Sequence, residues 1–148
     1  MKFTCTTEHL KKALASAERF TGKNITLPIL ANVLIDMNEN TLRITATNLE
    51  SAIQLTIHGD GKQSGRVCVP AKVLSSFVQS IGDENIQLEE KQGSLIIKTD
   101  TRDTRINGVA PDEFPLIPKI KKSNSITLSC AEFCEGVGRV LPAVSLSE

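Results

Sequence analysis

The apolar positions of this chain switch between two periods, and the switch recurs. Phe3 and Cys5 stand against Lys2 and Thr4 with the period of two that marks a strand. From Thr6 onward the apolar residues fall at Leu10, Ala13, Leu14 and Ala17, the spacing of an amphipathic helix, with Thr6 and Thr7 as capping residues and Gly22 as its stop. Leu27-Pro28-Ile29-Leu30 then leads into a strand over Val33 to Met37, a turn at Asn38-Glu39-Asn40 and a strand over Leu42 to Thr47. A further strand, Ala52 to Ile57, ends at Gly59-Asp60-Gly61, so this stretch reads β-α-β-β-β.

The pattern restarts 64 residues on. Phe3 maps to Val67, Cys5 to Val69, Leu10 to Leu74, Ala13 to Phe77, Leu14 to Val78 and Ala17 to Ile81, apolar onto apolar throughout. Pro70 is the expected first helical residue, and strands follow over Ile86 to Leu88, Leu95 to Lys98 and Arg105 to Val109, with turns at Glu90 to Gly93 and Asp100 to Asp103. A Pro-punctuated connector, Asp112 to Pro118, and a basic polar one, Lys119 to Ser125, mark a boundary. Beyond it an offset of 123 maps Phe3 to Ile126, Cys5 to Leu128, Leu10 to Phe133, Leu14 to Val137 and Ala17 to Val140, a third strand and helix. Two half-repeats, about 1–61 and 62–120, make one domain, and 121–148 open a second that stops short. The expectation is a piece of a longer protein that does not close any larger assembly by itself.

Composition narrows the class. The 148 residues are 40% hydrophobic and 23% charged, ordinary for a globular protein and long enough to bury a core without disulfide or metal. Seventeen basic residues balance seventeen acidic ones, which removes the simple argument for a strongly basic nucleic-acid binder, and the lack of Trp and Tyr removes a base-stacking platform. Placement restores a pattern. Residues 7–24 hold Lys11, Lys12, Arg19 and Lys23 against Glu8 and Glu18, and residues 61–81 hold Lys62, Arg66 and Lys72 unopposed. Residues 33–60 hold Asp36, Glu39, Glu50 and Asp60 against Arg43, and residues 82–100 hold Asp83, Glu84, Glu89, Glu90 and Asp100 against Lys91 and Lys98. Helices packed on one face would make that face basic, suited to loose, sequence-independent contact with a polyanion; solvated amphipathic helices with ordinary lysines are the plainer reading. The opening residues offer no apolar signal region and no later run is long enough to span a bilayer, so a cytoplasmic protein with free Cys5, Cys68, Cys130 and Cys134 and no membrane partner is expected.

Candidate chemistry is sparse. Cys130 and Cys134 stand at i and i+4, but Cys5, Cys68, His9 and His58 supply no second ligand pair, so buried thiols are expected rather than a metal site. Gly136-Val137-Gly138 falls inside a helical pattern and is not a dinucleotide loop, and Glu89-Glu90 sits beside a polar turn. No cofactor and no catalytic residue are expected.

The order and spacing of Met1-Lys2-Phe3-Thr4, the helix ending in Gly22, Thr26-Leu27-Pro28-Ile29-Leu30 with Asn32, Thr47-Asn48-Leu49-Glu50, Val69-Pro70-Ala71-Lys72 and Glu113-Phe114-Pro115 resemble the bacterial DNA polymerase III beta subunit family, the sliding clamps. The resemblance runs through nearly the whole chain. It implies an α+β DNA-clamp fold, doubled β-α-β-β-β units with two helices on one face of antiparallel sheet, three such domains per subunit and a head-to-tail homodimer around duplex DNA. It also implies a non-enzymatic processivity factor that touches phosphates without reading sequence and has the polymerase and clamp-loader subunits as partners. Carried over by position, Lys12, Lys23, Asn24 and Lys72 face DNA, with Lys23 supplying the charge where the family often has Arg and this chain has Asn24. Phe77, Arg105 and Ile106 fall at the dimer interface, and Asp100 to Thr104 is slightly longer than usual. The family's partner-peptide pocket lies on later domains. Two rivals remain at this point: a stand-alone adaptor pairing through a sheet edge, and a small enzyme using one of the thiols.

Overall fold

A computed structural model describes residues 2–22, 27–118 and 125–144, and the chain forms two compact units, Met1–Ile117 and Pro118–Glu148. In the first unit β1 (Lys2–Thr6) runs directly into α1 (Thr7–Glu18), and β2 (Asn32–Met37), β3 (Thr41–Thr47) and β4 (Ala52–His58) follow as antiparallel neighbours. After a short β5 (Asp60–Gln63), the second half repeats the plan with β6 (Gly65–Pro70), α2 (Ala71–Gln79), β7 (Asn85–Lys91), β8 (Ser94–Lys98) and β9 (Asp103–Asn107).

The strands divide between two antiparallel sheets, ordered β5-β1-β7-β8-β9 and β4-β3-β2-β6. Each half-repeat therefore lends its first strand to the other's sheet: β1 pairs with β7, and β6 with β2. This exchange answers why neither half can stand alone, since each three-strand sheet is completed by the partner half. Phe3, Leu10, Leu14, Ile35, Leu42, Ile44, Leu74, Val78, Ile86, Leu88 and Ile97 all enter one continuous core at 0–1% exposure. Each Leu, Ile or Phe so buried contributes about 1.5–3 kcal/mol. The helices pack on each other as well as on the sheets, with Lys11 Nζ donating to the Ile81 carbonyl at 2.6 Å.

Several expected boundaries move, each for a local reason. α1 stops at Glu18, whose carbonyl accepts from the Thr21 hydroxyl at 2.7 Å and the Thr21 N–H at 3.3 Å. Gly22 does not cap it; a Cβ there would lie 2.8 Å from Leu30 Cβ, and its N–H donates to the Leu30 carbonyl at 2.8 Å, so glycine is required by close approach. Pro70 ends β6 opposite Asn32 rather than opening α2. Gly59-Asp60-Gly61 leads into β5 instead of ending the sheet, because the far edge of β1 is open to backbone pairing that needs no apolar pattern. The last strand sits at Asp103–Asn107, two residues earlier than expected, its register set by the preceding turn; Val109 makes an isolated bridge to Cys68.

Several of the short motifs in the sequence are turn devices. Asn48 Oδ1 accepts from the Glu50 and Ser51 N–H groups at 3.1 and 2.8 Å, while the Thr47 hydroxyl accepts from Leu49 N–H at 3.0 Å, and together they hold Leu49 at φ +77°. Buried Asn32 donates to the carbonyls of Pro28 and Ile29, closing the 3-10 turn Pro28–Ala31. Gln92 and Gly93, at φ +52° and +71°, form the two-residue turn of the β7–β8 hairpin.

In the second unit α3 (Cys130–Val140) forms as expected, followed by a 3-10 turn at Leu141–Ala143. The strand expected over Ile126 to Leu128 is absent: residues 125–129 form no regular element, because a strand needs a partner ladder for its backbone groups. No residue of α3 is buried.

Candidate nucleic-acid interface

Two helix surfaces carry the residues expected to meet phosphate. On α1, Leu10, Ala13, Leu14 and Ala17 turn inward, which leaves Glu8, Lys12 and Ala15 exposed, with Arg19 at the exposed end. On α2, Leu74 and Val78 turn inward, leaving Lys72, Val73 and Ser76 exposed. Lys12 is paired with Glu8 one turn earlier at 2.5 Å, and both side chains are over 70% exposed. That hydrogen bond and the lysine charge hold the Glu8 carboxyl below its ordinary range. So exposed a pair is readily exchanged for another anion. Lys72 lies in the first turn of α2, where its charge adds to the positive end of the helix dipole. Lys23 and Asn24 lie outside the described residues.

The charge tally of the sequence needs reapportioning. Lys11 is turned to the Ile81 carbonyl and serves helix packing. Lys62 and Arg66 lie on β5 and β6, not on a helix, and Arg66 stands opposite Asp36, which faces Arg43 on its other side. Among the exposed residues of α1, Arg19 and α2 there remain Lys12, Arg19 and Lys72 against Glu8, a surplus of two. Arg19 was not singled out from sequence; its spacing of seven from Lys12, two helical turns, was the signal that puts both on one face.

The residues expected at a subunit contact lie on α2 and β9. Phe77 is half-buried against the core, and Arg105 is exposed, its Nη2 donating to Ser94 Oγ at 3.1 Å. Ile106 is 7% exposed and faces inward opposite Leu95. What β9 offers at its outer side is backbone and the Arg105 side chain, since it closes its sheet with no further strand among the described residues.

Other chemistry is thin. His9 and His58, remote in sequence, both line a cleft of about 420 Å³ between α1 and β4, with Lys12, Ala13, Leu55 and Ile57. Among the described residues no three His, Cys, Asp or Glu side chains are grouped to hold a metal. Burial pushes the thiols of Cys5 and Cys68 up to about 12, the opposite of what a nucleophile requires. Cys130 and Cys134 are exposed on α3 rather than buried as expected. No described helix is long and apolar enough to cross a membrane.

Two exchanged β-α-β-β-β halves with paired helices define a clamp-fold domain. The solved Caulobacter crescentus pol III beta matches all of this chain and 40% of its own length with a TM-score of 0.89 at 23% identity. A Helicobacter pylori beta clamp bound to a DNA ligase peptide matches all of this chain and 42% of its own at 0.88 and 21%. The DNA polymerase III beta subunit of Thermotoga maritima covers 81% of this chain and 33% of that one, at 0.75 and 30%. The family model for the DNA polymerase III beta subunit, N-terminal domain, matches residues 1–118, and the chain belongs to that family. Among curated relatives, a beta sliding clamp of Synechocystis is 32% identical and one of Synechococcus elongatus 28%, each matched over the whole of this chain. The chain spans about 40% of the length of these relatives.

Proposed function

We propose that the protein carrying this chain is a non-catalytic sliding clamp of the bacterial replicative polymerase, working in the cytoplasm. In this reading Met1–Ile117 is the first domain of a subunit, and Pro118–Glu148 begins a second domain of the same kind. Two subunits closed head to tail would encircle duplex DNA, and polymerase and clamp-loader subunits would bind the ring. Membership of the beta-subunit family is the observation that carries the proposal. The helix layer supports it physically: a surplus of two charges on exposed side chains suits weak phosphate contact. Retention by encirclement needs little affinity, whereas strong contacts would slow sliding. Lys12 and Lys72, with Arg19 added, are the proposed phosphate contacts among the described residues, alongside Lys23 and Asn24. Phe77, Arg105 and Ile106 remain the proposed subunit contact, Ile106 through its backbone.

The test uses the full-length gene product on duplex DNA. Protein loaded on a closed plasmid should stay bound and be released when the plasmid is linearised. Replacing Lys12 and Lys72 together by Gln should flatten the log–log salt dependence of DNA association by about two, one per lost phosphate contact. Equal retention on closed and linear DNA would sink the ring reading, and an unchanged slope would remove these two lysines from the interface.

A further inference from the structure

The turn from β8 to β9 closes on itself and then grips another element. Thr99 N–H donates to the Arg102 carbonyl at 2.8 Å, and Thr99 Oγ1 accepts from Arg102 N–H at 3.0 Å and Thr101 N–H at 3.3 Å. From this closed turn Arg102 Nη1 reaches the end of α2, donating to the Ser80 carbonyl at 3.3 Å and the Ser80 hydroxyl at 3.1 Å. Thr101 Oγ1 donates to Asp83 Oδ2 at 2.9 Å beside it. Ser80 is the C-cap of α2, where carbonyls lack helical donors and the dipole is negative, so a guanidinium there meets both needs.

The brace joins the end of α2 to the turn that leads into β9. β9 is five residues long, pairs only with β8, and begins at Asp103, the residue after Arg102. An edge strand held on one side frays from its ends unless something fixes them. Arg102, Ser80, Thr101 and Asp83 include mostly exposed groups, so their hydrogen bonds add little to stability. What they fix is geometry: the placement of the start of β9 against the end of α2.

We infer that Arg102 is a positioning residue for subunit contact, holding α2 and β9 in the relative placement that a partner subunit meets. The inference rests on the ring reading above, which puts Phe77 of α2 and Arg105 of β9 at that contact. A surface already in its bound arrangement loses less freedom on association, so the brace tightens the contact without touching the partner.

Sedimentation velocity of the full-length gene product over a concentration series tests it, with thermal unfolding measured alongside. Arg102→Ala should raise the self-association Kd about 25-fold, about fivefold for the one net hydrogen bond at each of the two contacts of a closed pair. The Tm should stay within about 2 °C of wild type, as for other exposed substitutions. Arg102→Lys, which keeps a cation able to donate to Ser80, should recover most of the loss. An unchanged Kd in Arg102→Ala overturns the inference, as does a loss that tracks a fall in Tm and is not recovered by Arg102→Lys. Wild-type self-association with a silent Arg102→Ala leaves the ring reading standing; a wild type that stays monomeric at all concentrations brings down both.

Discussion

Helices α1 and α3 carry the same apolar pattern 123 residues apart and end in opposite surroundings. Leu10, Leu14 and Ala17 of α1 are 0%, 1% and 0% exposed, while their counterparts Phe133, Val137 and Val140 of α3 are 57%, 41% and 61% exposed. The difference lies outside the helices. α1 is followed by β2, β3 and β4, and its other side is closed by α2; after α3 the described residues hold one 3-10 turn and no strand. Periodicity thus specifies which face of a helix seeks cover, and the rest of the repeat supplies the cover.

The largest effect that would break this comparison is a charge placed on each face. Leu14→Asp puts an unpaired carboxylate into the core and should cost more than about 4 kcal/mol, enough to unfold a domain of ordinary stability. Val137→Asp should change the unfolding free energy of the chain by less than about 0.5 kcal/mol. Urea titration followed by circular dichroism reads both. Equal losses would mean that the α3 face is covered in solution and that the two helices do not differ as described.

The same contrast explains what was legible in the sequence. Both half-repeats and all three helices follow from apolar spacing, because Leu10, Ala13, Leu14 and Ala17 of the first half have apolar counterparts at Leu74, Phe77, Val78 and Ile81 of the second. The division into two sheets was not legible: β1 and β6 read as strands, but alternation says nothing about which neighbour a strand takes, and here each crosses to the other half. β5 is not legible because Asp60-Gly61-Lys62-Gln63 has no apolar alternation to mark it as a strand. The candidate interface was legible as a list of lysines and not as a surface. Lys11, Lys62 and Arg66 count equally with Lys12 in a charge sum, and only the packing shows Lys11 bonded to a carbonyl and the other two on strands. The Arg102 brace joins residues 22 apart through a turn that has no apolar pattern.

Cysteine chemistry sharpens the comparison at the next level. Cys5 and Cys68 are buried in the first unit, Cys130 and Cys134 exposed in the second. Iodoacetamide should therefore modify two of the four thiols promptly in the folded chain, and mass spectrometry should place them at Cys130 and Cys134. The other two should react only at the rate of unfolding. The buried pair also gives alkaline sensitivity of a definite sign. Burial raises their folded values from 9.0 to about 12, so above pH 9 the unfolded chain releases protons that the folded chain keeps. Stability is unaffected by these groups below pH 9 and declines between 9 and 12; Cys5→Ala with Cys68→Ala should flatten that decline. Prompt modification of all four thiols would show that the first unit opens far more readily than its packing implies.

The smallest effect lies in the glycines of α3. Gly136 and Gly138 sit inside the helix at negative φ, and a Cβ added at either would meet nothing within 4 Å. In an exposed helix interior Gly is worse than Ala by about 1 kcal/mol, because it loses more backbone freedom on ordering. Gly136→Ala should therefore raise the helical signal of the chain at 222 nm and leave the urea midpoint of the first unit where it is. Position 136 corresponds by the 123-residue offset to Ala13, which is 8% exposed against the core of the first unit. If cover for α3 comes from strands like β3 and β4, a methyl at 136 must share space with them once they are present. The same substitution in the full-length gene product should then lose its benefit or become costly, and a gain of equal size in both settings would argue against a covered α3.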